Sequence, residues 1–435
     1  MKIGGLIMRK KIINATLTLI FSLLTFSCAS PYSDESSTEK VYYDKEGLKY
    51  TLSDDGKGYF VGNGTNTDVV VHVPQTYNGL PVIGVSYQGF FSTEIEEIYL
   101  PDTVEIIESD AFFECKNLKS FNSPKSLKVI ERSAFYFCVN LKKVNLEEEL
   151  KIIGSSAFGC CKSLEYINIP EGVEEIGFYA FQFTSSLKKL SLPNSLKHIE
   201  DIGPQINPEV YNYHNNAYYL GNENNPYIYL SAINIQKNVI EIENGCRFLG
   251  FNHYPYSDEK PVVEKIILPN TVEKIYNVTQ YNSLIEITGD CKVSYINDCA
   301  FYRYERLQSV ITLKYCEIIG NGAFENCFNL SDKIDLSSIV ELGSRAFSYC
   351  LKIKEVVLGK NLQAIKYLTF RKCTRLETIY IPKSIKQIEY DAFNECNNLK
   401  NIYYEGNEEE WNSIKIDDTN LEYLSNAEIH FNTIY

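Results

Sequence analysis

AFGCCKSLEYINIPEGVEEIGFYAF, Ala157 to Phe181, holds one full period of the chain and the start of the next. It opens and closes on Ala-Phe, and the two alanines are 23 residues apart. Ala111, Ala134, Ala157 and Ala180 keep this spacing, each followed by Phe. Ala300, Ala323, Ala346, Thr369 and Ala392 repeat it in a second run, with Thr369 the one substitution.

Other columns keep step with the small residue. Four places after it stand Cys115, Cys138, Cys161, Cys327, Cys350, Cys373 and Cys396. Seven places after it Leu returns, from Leu118 to Leu399, with Ile353 the exception. Pairs such as Ile167 and Ile169 or Ile379 and Ile381 follow, and Pro170, Pro193 and Pro382 close them. Four places before the small residue come Ile107, Ile130, Ile153, Ile176, Ile319, Leu342, Ile365 and Ile388.

A unit this short cannot bury its own apolar residues, but copies stacked on one another share a continuous core. The alternating Ile-x-Ile piece reads as a short strand with every second residue inward. Proline ends it because it has no N–H to give to a ladder. Ala and Cys read as small fillers where the coil turns, and Phe and Leu as its interior. The fold class is therefore a β-rich solenoid of 23-residue leucine-rich repeats, one short strand per coil.

Between Ile202 and Val262 the spacing fails, and the segment around NAYYLGNENNPYIYL, from Asn216, is rich in Asn and Tyr. It reads as an irregular insertion or as degenerate repeats. Periodicity returns in VIEIENGCRFL, from Val239, and in IILPNTVEKI, from Ile266, so we read one interrupted solenoid. Residues 91–201 and 263–403 are the two repeat runs, 202–262 the interruption, 46–90 an N-terminal leading segment and 404–435 a C-terminal cap.

LEYINIPEGVEEIGFYAF, Leu164 to Phe181, resembles the BspA-like leucine-rich-repeat family of bacterial surface proteins, and it lacks the Asn of the ordinary leucine-rich repeat. GLKYTL at Gly47 with VPQTYNGLPV at Val73 resembles the start of that family's domain, and IYYEGNEEEWNSIKI at Ile402 resembles its end. The resemblance implies a protein-binding solenoid that mediates adhesion to host matrix proteins or to other cells. A scaffold within the periplasm or envelope is the alternative reading.

The chain of 435 residues is 44% hydrophobic and 23% charged, the balance of a folded protein. Its net charge is -14; the first 27 residues hold four basic residues and no acid, so the rest carries -18. A nucleic-acid partner is not expected, because phosphate binding needs a basic face; a local basic patch stays open. MRKKIINATLTLIFSLLTFSCAS, Met8 to Ser30, has the basic cluster, apolar run and small residues of an export signal over 1–27. Cys28 resembles a bacterial lipidation site, which would tether the protein to a membrane, with cleavage near Ala29 or Ser30 as the rival. Residues 28–45 read as a flexible tether. The expected location is the cell envelope or surface, lipid-anchored or secreted.

The thirteen cysteines contain no C-x-x-C pair, and seven sit in the repeat column, so they read as buried thiols and not as metal ligands. The five histidines show no metal spacing, and no nucleophile elbow or phosphate loop is present. We therefore expect no cofactor, no metal and no catalytic residue. An enzyme would need an acid/base cluster in the insertion, around His214 and Asp201. What remains is the outward face of the strands. It reads Asn122, Asn145, Asn168 and Ser191 early, then Val357, Tyr380 and Tyr403 late, with Tyr99 near the start. Tyrosine offers broad contact area with few rotors, so Tyr380, Tyr403, Val357 and Tyr99 are the candidate ligand contacts.

Overall fold

The computed structural model describes residues 40–233, 238–250, 262–277, 283–311 and 313–434. The signal segment 1–27, Cys28 and the tether as far as residue 39 lie outside the described residues. Val41–Tyr435 forms one compact unit. No helix among the described residues is long and apolar enough to cross a membrane.

The Ile-x-Ile pieces pair as short parallel strands. Ser120–Asn122, Lys143–Asn145 and Tyr166–Asn168 are in register, with Phe121, Val144 and Ile167 buried in one column. Each coil adds a second strand of two residues: Ile107, Ile130, Ile153, Ile176 and Ile199 pair in sequence and are fully buried. Two residues are too few to display alternation, so only their spacing marks them in the sequence.

The Ala-Phe segment forms the turn edge. Phe112, Phe135 and Phe158 each donate a backbone N–H to the carbonyl of the alanine one coil later, and Phe301 and Phe324 do the same in the second run. The rings stack down the core, at 5.0 Å for Phe112 and Phe135 and 5.3 Å for Phe135 and Phe158. Two residues per coil are left-handed. Ser133 and Phe137 flank one turn, and Arg345 and Tyr349 another, with φ of 54° to 62°. Non-glycine residues adopt this region at a cost, and here the coil-to-coil hydrogen bonds of the same turn hold them there.

The column cysteines have a second role besides filling space. Cys138 Sγ donates to the Phe112 carbonyl at 3.1 Å, Cys161 to Phe135 at 3.2 Å, and Cys396 to Phe370 at 3.1 Å, always one coil back. The twelve described cysteines are free thiols, and Cys299 is the exposed one.

An antiparallel cap opens the first run: Val41–Tyr43, Lys49–Leu52 and Tyr59–Gly62 pair in that order, and the last then pairs in parallel with Leu80–Val85. Tyr50 and Tyr77 stack at 4.0 Å beneath it. The interruption repeats this device. Asn212–His214, Ala217–Leu220 and Tyr229–Ile233 are antiparallel, and Tyr229–Ile233 then pairs in parallel with Phe248–Gly250. Val239–Glu241 and Lys265–Leu268 resume the other ladder, so the returning periodicity is true coil.

The two ladders meet where Tyr276 Oη lies 3.0 Å from His198 Nδ1 and accepts the Ile199 N–H at 3.3 Å. Tyr229, Phe248 and Tyr276 of the second ladder pack into the core of the first. At the far end Asn407 caps the helix Glu408–Asn412 reciprocally with Glu410, and Trp411 closes the core edge-on to Tyr404 at 5.2 Å.

Candidate binding surface

On a stack of parallel strands in register, side chains of one column lie about 4.8 Å apart, so any two planar neighbours are driven to stack. Val357, Tyr380, Tyr403 and His430 occupy one such column. The Tyr380 and Tyr403 rings stack at 4.8 Å and 14°, and Tyr403 and His430 at 4.6 Å and 17°. Both tyrosines are half-buried because each ring covers its neighbour. Burial, and after it the Glu355 carboxylate, push the Tyr380 hydroxyl above its ordinary range, so it is protonated at neutral pH.

Beside Tyr380 the ladder steps down to Val357 and leaves a groove of about 420 Å³. Lys333, Asp335, Ser337, Glu355 and Lys360 line it with Val357 and Tyr380. Lys333 and Glu355, both in its lining, form an ion pair at 2.7 Å, and Asp335 accepts the Ser337 N–H at 3.0 Å. The groove thus joins an apolar base and an aromatic side to charges of both signs.

The early column behaves differently. Asn145 donates to the Asn122 side chain at 2.7 Å, while Asn168 accepts the Leu146 N–H at 3.1 Å and donates to the Leu146 carbonyl at 3.0 Å. These amides are spent on the fold itself. Tyr99 is separate from both groups: it is 48% exposed, stacks on His72 at 4.6 Å and donates its hydroxyl to Glu97 at 2.6 Å. Tyr380, Tyr403 and Val357 therefore come together, and Tyr99 stands at the opposite end of the repeat. His72 and His430 escaped sequence reasoning because each lies 27 residues from its tyrosine, outside the 23-residue spacing. The polar–apolar alternation in EIHF is a signal that marks His430, whereas VVVHV gives none for His72.

The insertion does not join its two titratable candidates. His214 Nδ1 is 2.9 Å from Glu243, which also accepts from Asn215. Asp201 is buried and accepts the Gly203 N–H at 2.8 Å. No hydrogen bond or ion pair between described residues links His214 to Asp201. No group of three or more His, Cys, Asp or Glu among the described residues could hold a metal ion.

Comparison with known proteins gives one family. A model of the BspA type leucine rich repeat region matches residues 84–202, 251–373 and 317–434, in six copies. Among solved structures, a leucine-rich cell surface protein from Faecalibacterium prausnitzii is 21% identical over 89% of this chain and 100% of that one, with a TM-score of 0.35. A leucine-rich repeat protein from Bacteroides ovatus is 23% identical over 89% and 99%, with a TM-score of 0.34. The pneumococcal vaccine antigen PcpA is 18% identical over 91% and 99%, with a TM-score of 0.38. No curated protein matches the chain.

Proposed function

Because the chain belongs to the BspA type leucine-rich repeat family, we propose that it is a protein-binding solenoid of the cell surface or envelope, without enzymatic activity, whose contact face is the late aromatic column. The observation that carries this reading is the ladder of Tyr380, Tyr403 and His430 beside the groove at Val357. Tyrosines held rigid before contact lose little conformational freedom on binding, and mixed charges around an apolar floor suit a protein partner. Tyr99 on His72 is a smaller site of the same kind.

The biological role that follows from the family is adhesion, to host matrix proteins or to other cells. Cys28, as a lipidated amino terminus, would hold the solenoid at the membrane through the polar tether.

Capture by the full chain from host matrix and self-surface extracts tests the role, with protease accessibility on intact cells testing display. Capture of a surface or matrix protein that the Tyr380→Ala, Tyr403→Ala variant loses supports the proposal. Capture carried instead by the hairpin at Tyr211 to Tyr229 moves the contact face to the insertion, and protection from protease moves the protein to an internal envelope location.

A further inference from the structure

The late column has one more member. Asp335 is in register with Val357, so the column reads Asp335, Val357, Tyr380, Tyr403, His430. Rings fill the last three places and stack on one another. Val357 has a short side chain and leaves the place above it to the groove, and the next place carries a carboxylate. Asp335 and Tyr380 are two strands and so about 10 Å apart along the ladder. A side chain that enters over Val357 therefore meets a tyrosine on one side and an anion on the other.

The other charges of the lining are already matched. Lys333 holds Glu355 at 2.7 Å, and Lys360 holds Glu405 at 3.6 Å. Just outside, Lys354 meets Asp332 and Lys400 meets Glu377, both at 3.2 Å. Asp335 has no cation within 4.0 Å among the described residues. Its Oδ1 accepts the Ser337 N–H at 3.0 Å, and its Oδ2 accepts no hydrogen bond from a described residue. Lys383, outside the lining, balances Asp335 in an overall count of this neighbourhood, so selection comes from where the carboxylate stands and not from a net field.

We propose that the groove receives an arginine side chain of the partner protein, with its methylene stem over Val357, its guanidinium against Tyr380 and its N–H donors on Asp335. The inference rests on the reading of the late column as the contact face and adds the chemistry of what enters it. A guanidinium is flat, permanently charged and rich in donors, so it satisfies a ring and a carboxylate together. A lysine ammonium reaches Asp335 but has no plane to lay on the ring. A phenylalanine side chain extends the ladder but covers the carboxylate without giving it a donor. An acidic peptide or a sulfated sugar meets Asp335 as a like charge.

The test uses the full chain and short labelled peptides that differ at one central residue: arginine, its neutral isostere citrulline, or phenylalanine. By fluorescence anisotropy the arginine peptide should bind about fivefold or more tightly than the citrulline peptide, and its binding should weaken as salt rises. Asp335→Asn keeps an oxygen for the Ser337 N–H and should bring the two peptides level. Asp102→Asn on the first run should leave the preference intact, with circular dichroism confirming that each variant is folded. No binding of the arginine peptide, equal affinity for citrulline, tightest binding by phenylalanine, or a preference that survives Asp335→Asn overturns the arginine assignment. A captured surface protein separates this from the parent reading. A ligand weakened by Tyr380→Ala with Tyr403→Ala but not by Asp335→Asn overturns the arginine and keeps the face, whereas indifference to both overturns the face as well.

Discussion

The Cys350 thiol donates to the Phe324 carbonyl oxygen of the preceding coil at 3.2 Å, and that oxygen also accepts the Cys327 N–H at 3.1 Å. Both lone pairs of a buried carbonyl are thus used, one by its own coil and one by the next. The column needs a residue small enough for the turn that still carries a donor. Where Thr184 replaces Cys it keeps one, donating to Phe181 at 2.7 Å.

Cys350→Ala should therefore cost more than a lost sulfur atom. It removes packing and leaves the Phe324 carbonyl with one partner, for a loss of about 1–3 kcal/mol. Urea unfolding of the two proteins measures the difference, and an unchanged midpoint would make the thiol a passive filler.

Thiol chemistry follows from the same geometry. Burial pushes Cys350 and Cys396 well above the ordinary thiol range and Cys373 up to about 12, so these sulfurs stay protonated as well as shielded. In a Cys28→Ser background, a thiol-specific reagent at mildly alkaline pH should modify Cys299 alone in the native protein. The described cysteines should all react once denaturant is added.

Phe158 stacks between Phe135 at 5.3 Å and Phe181 at 6.0 Å. Phe158→Ala removes the ring from both contacts and should cost about 3–5 kcal/mol. Because coils touch only their neighbours, the loss should appear as faster hydrogen exchange in the coils beside Phe158. A uniform rise across both runs would contradict stacking of independent units.

The coils were legible because each column repeats a demand of the interior: a ring at Phe158, a small residue at Ala157, a β-branched one at Ile153. Where the coil length departs from 23, register cannot be counted. His72 and His430 were missed on that account, although each stacks on a tyrosine of the predicted face. The second antiparallel cap was hidden for another reason. Ala217–Leu220 pairs through backbone groups that leave no periodic trace, and its register shifts at Tyr218. The role of the cysteines was half visible: spacing marked a small buried residue, and only the distance to the Phe carbonyl revealed the donor.

Acid should strengthen the seam at the interruption. Burial raises the Asp201 carboxyl to about 6 from an ordinary 3.8. Below about pH 3 folded and unfolded chains are both largely protonated there, and between about pH 3 and 6 the folded chain holds the extra proton. Stability therefore falls as pH rises through this window and is level above it, a change of roughly 2–4 kcal/mol at this site. Asp201→Asn keeps an oxygen for the Gly203 N–H and has no charge to bury. Relative to the wild type, its thermal midpoint should be higher at pH 7, and the gap should close by about pH 3.

The sheet face makes the sharpest functional prediction, because its two halves differ in what their side chains already do. Asn145 and Asn122 satisfy each other across adjacent strands, so a partner must break that bond before using either amide. Tyr380 and Tyr403 are stacked flat and fixed beside the Val357 groove, so they offer a partner ring area that is already in place. Truncating the pair removes the ladder and opens the groove, so Tyr380→Ala with Tyr403→Ala should weaken binding to a captured protein ligand by at least about 1–2 kcal/mol. Asn145→Ala should stay within about 0.5 kcal/mol, and Val357→Tyr, which fills the groove with a ring at the ladder spacing, should block a partner that inserts there. Titration of one ligand against all three, with circular dichroism as the folding control, distinguishes the faces; equal loss in the Asn145 and tyrosine variants would remove the aromatic column from the contact.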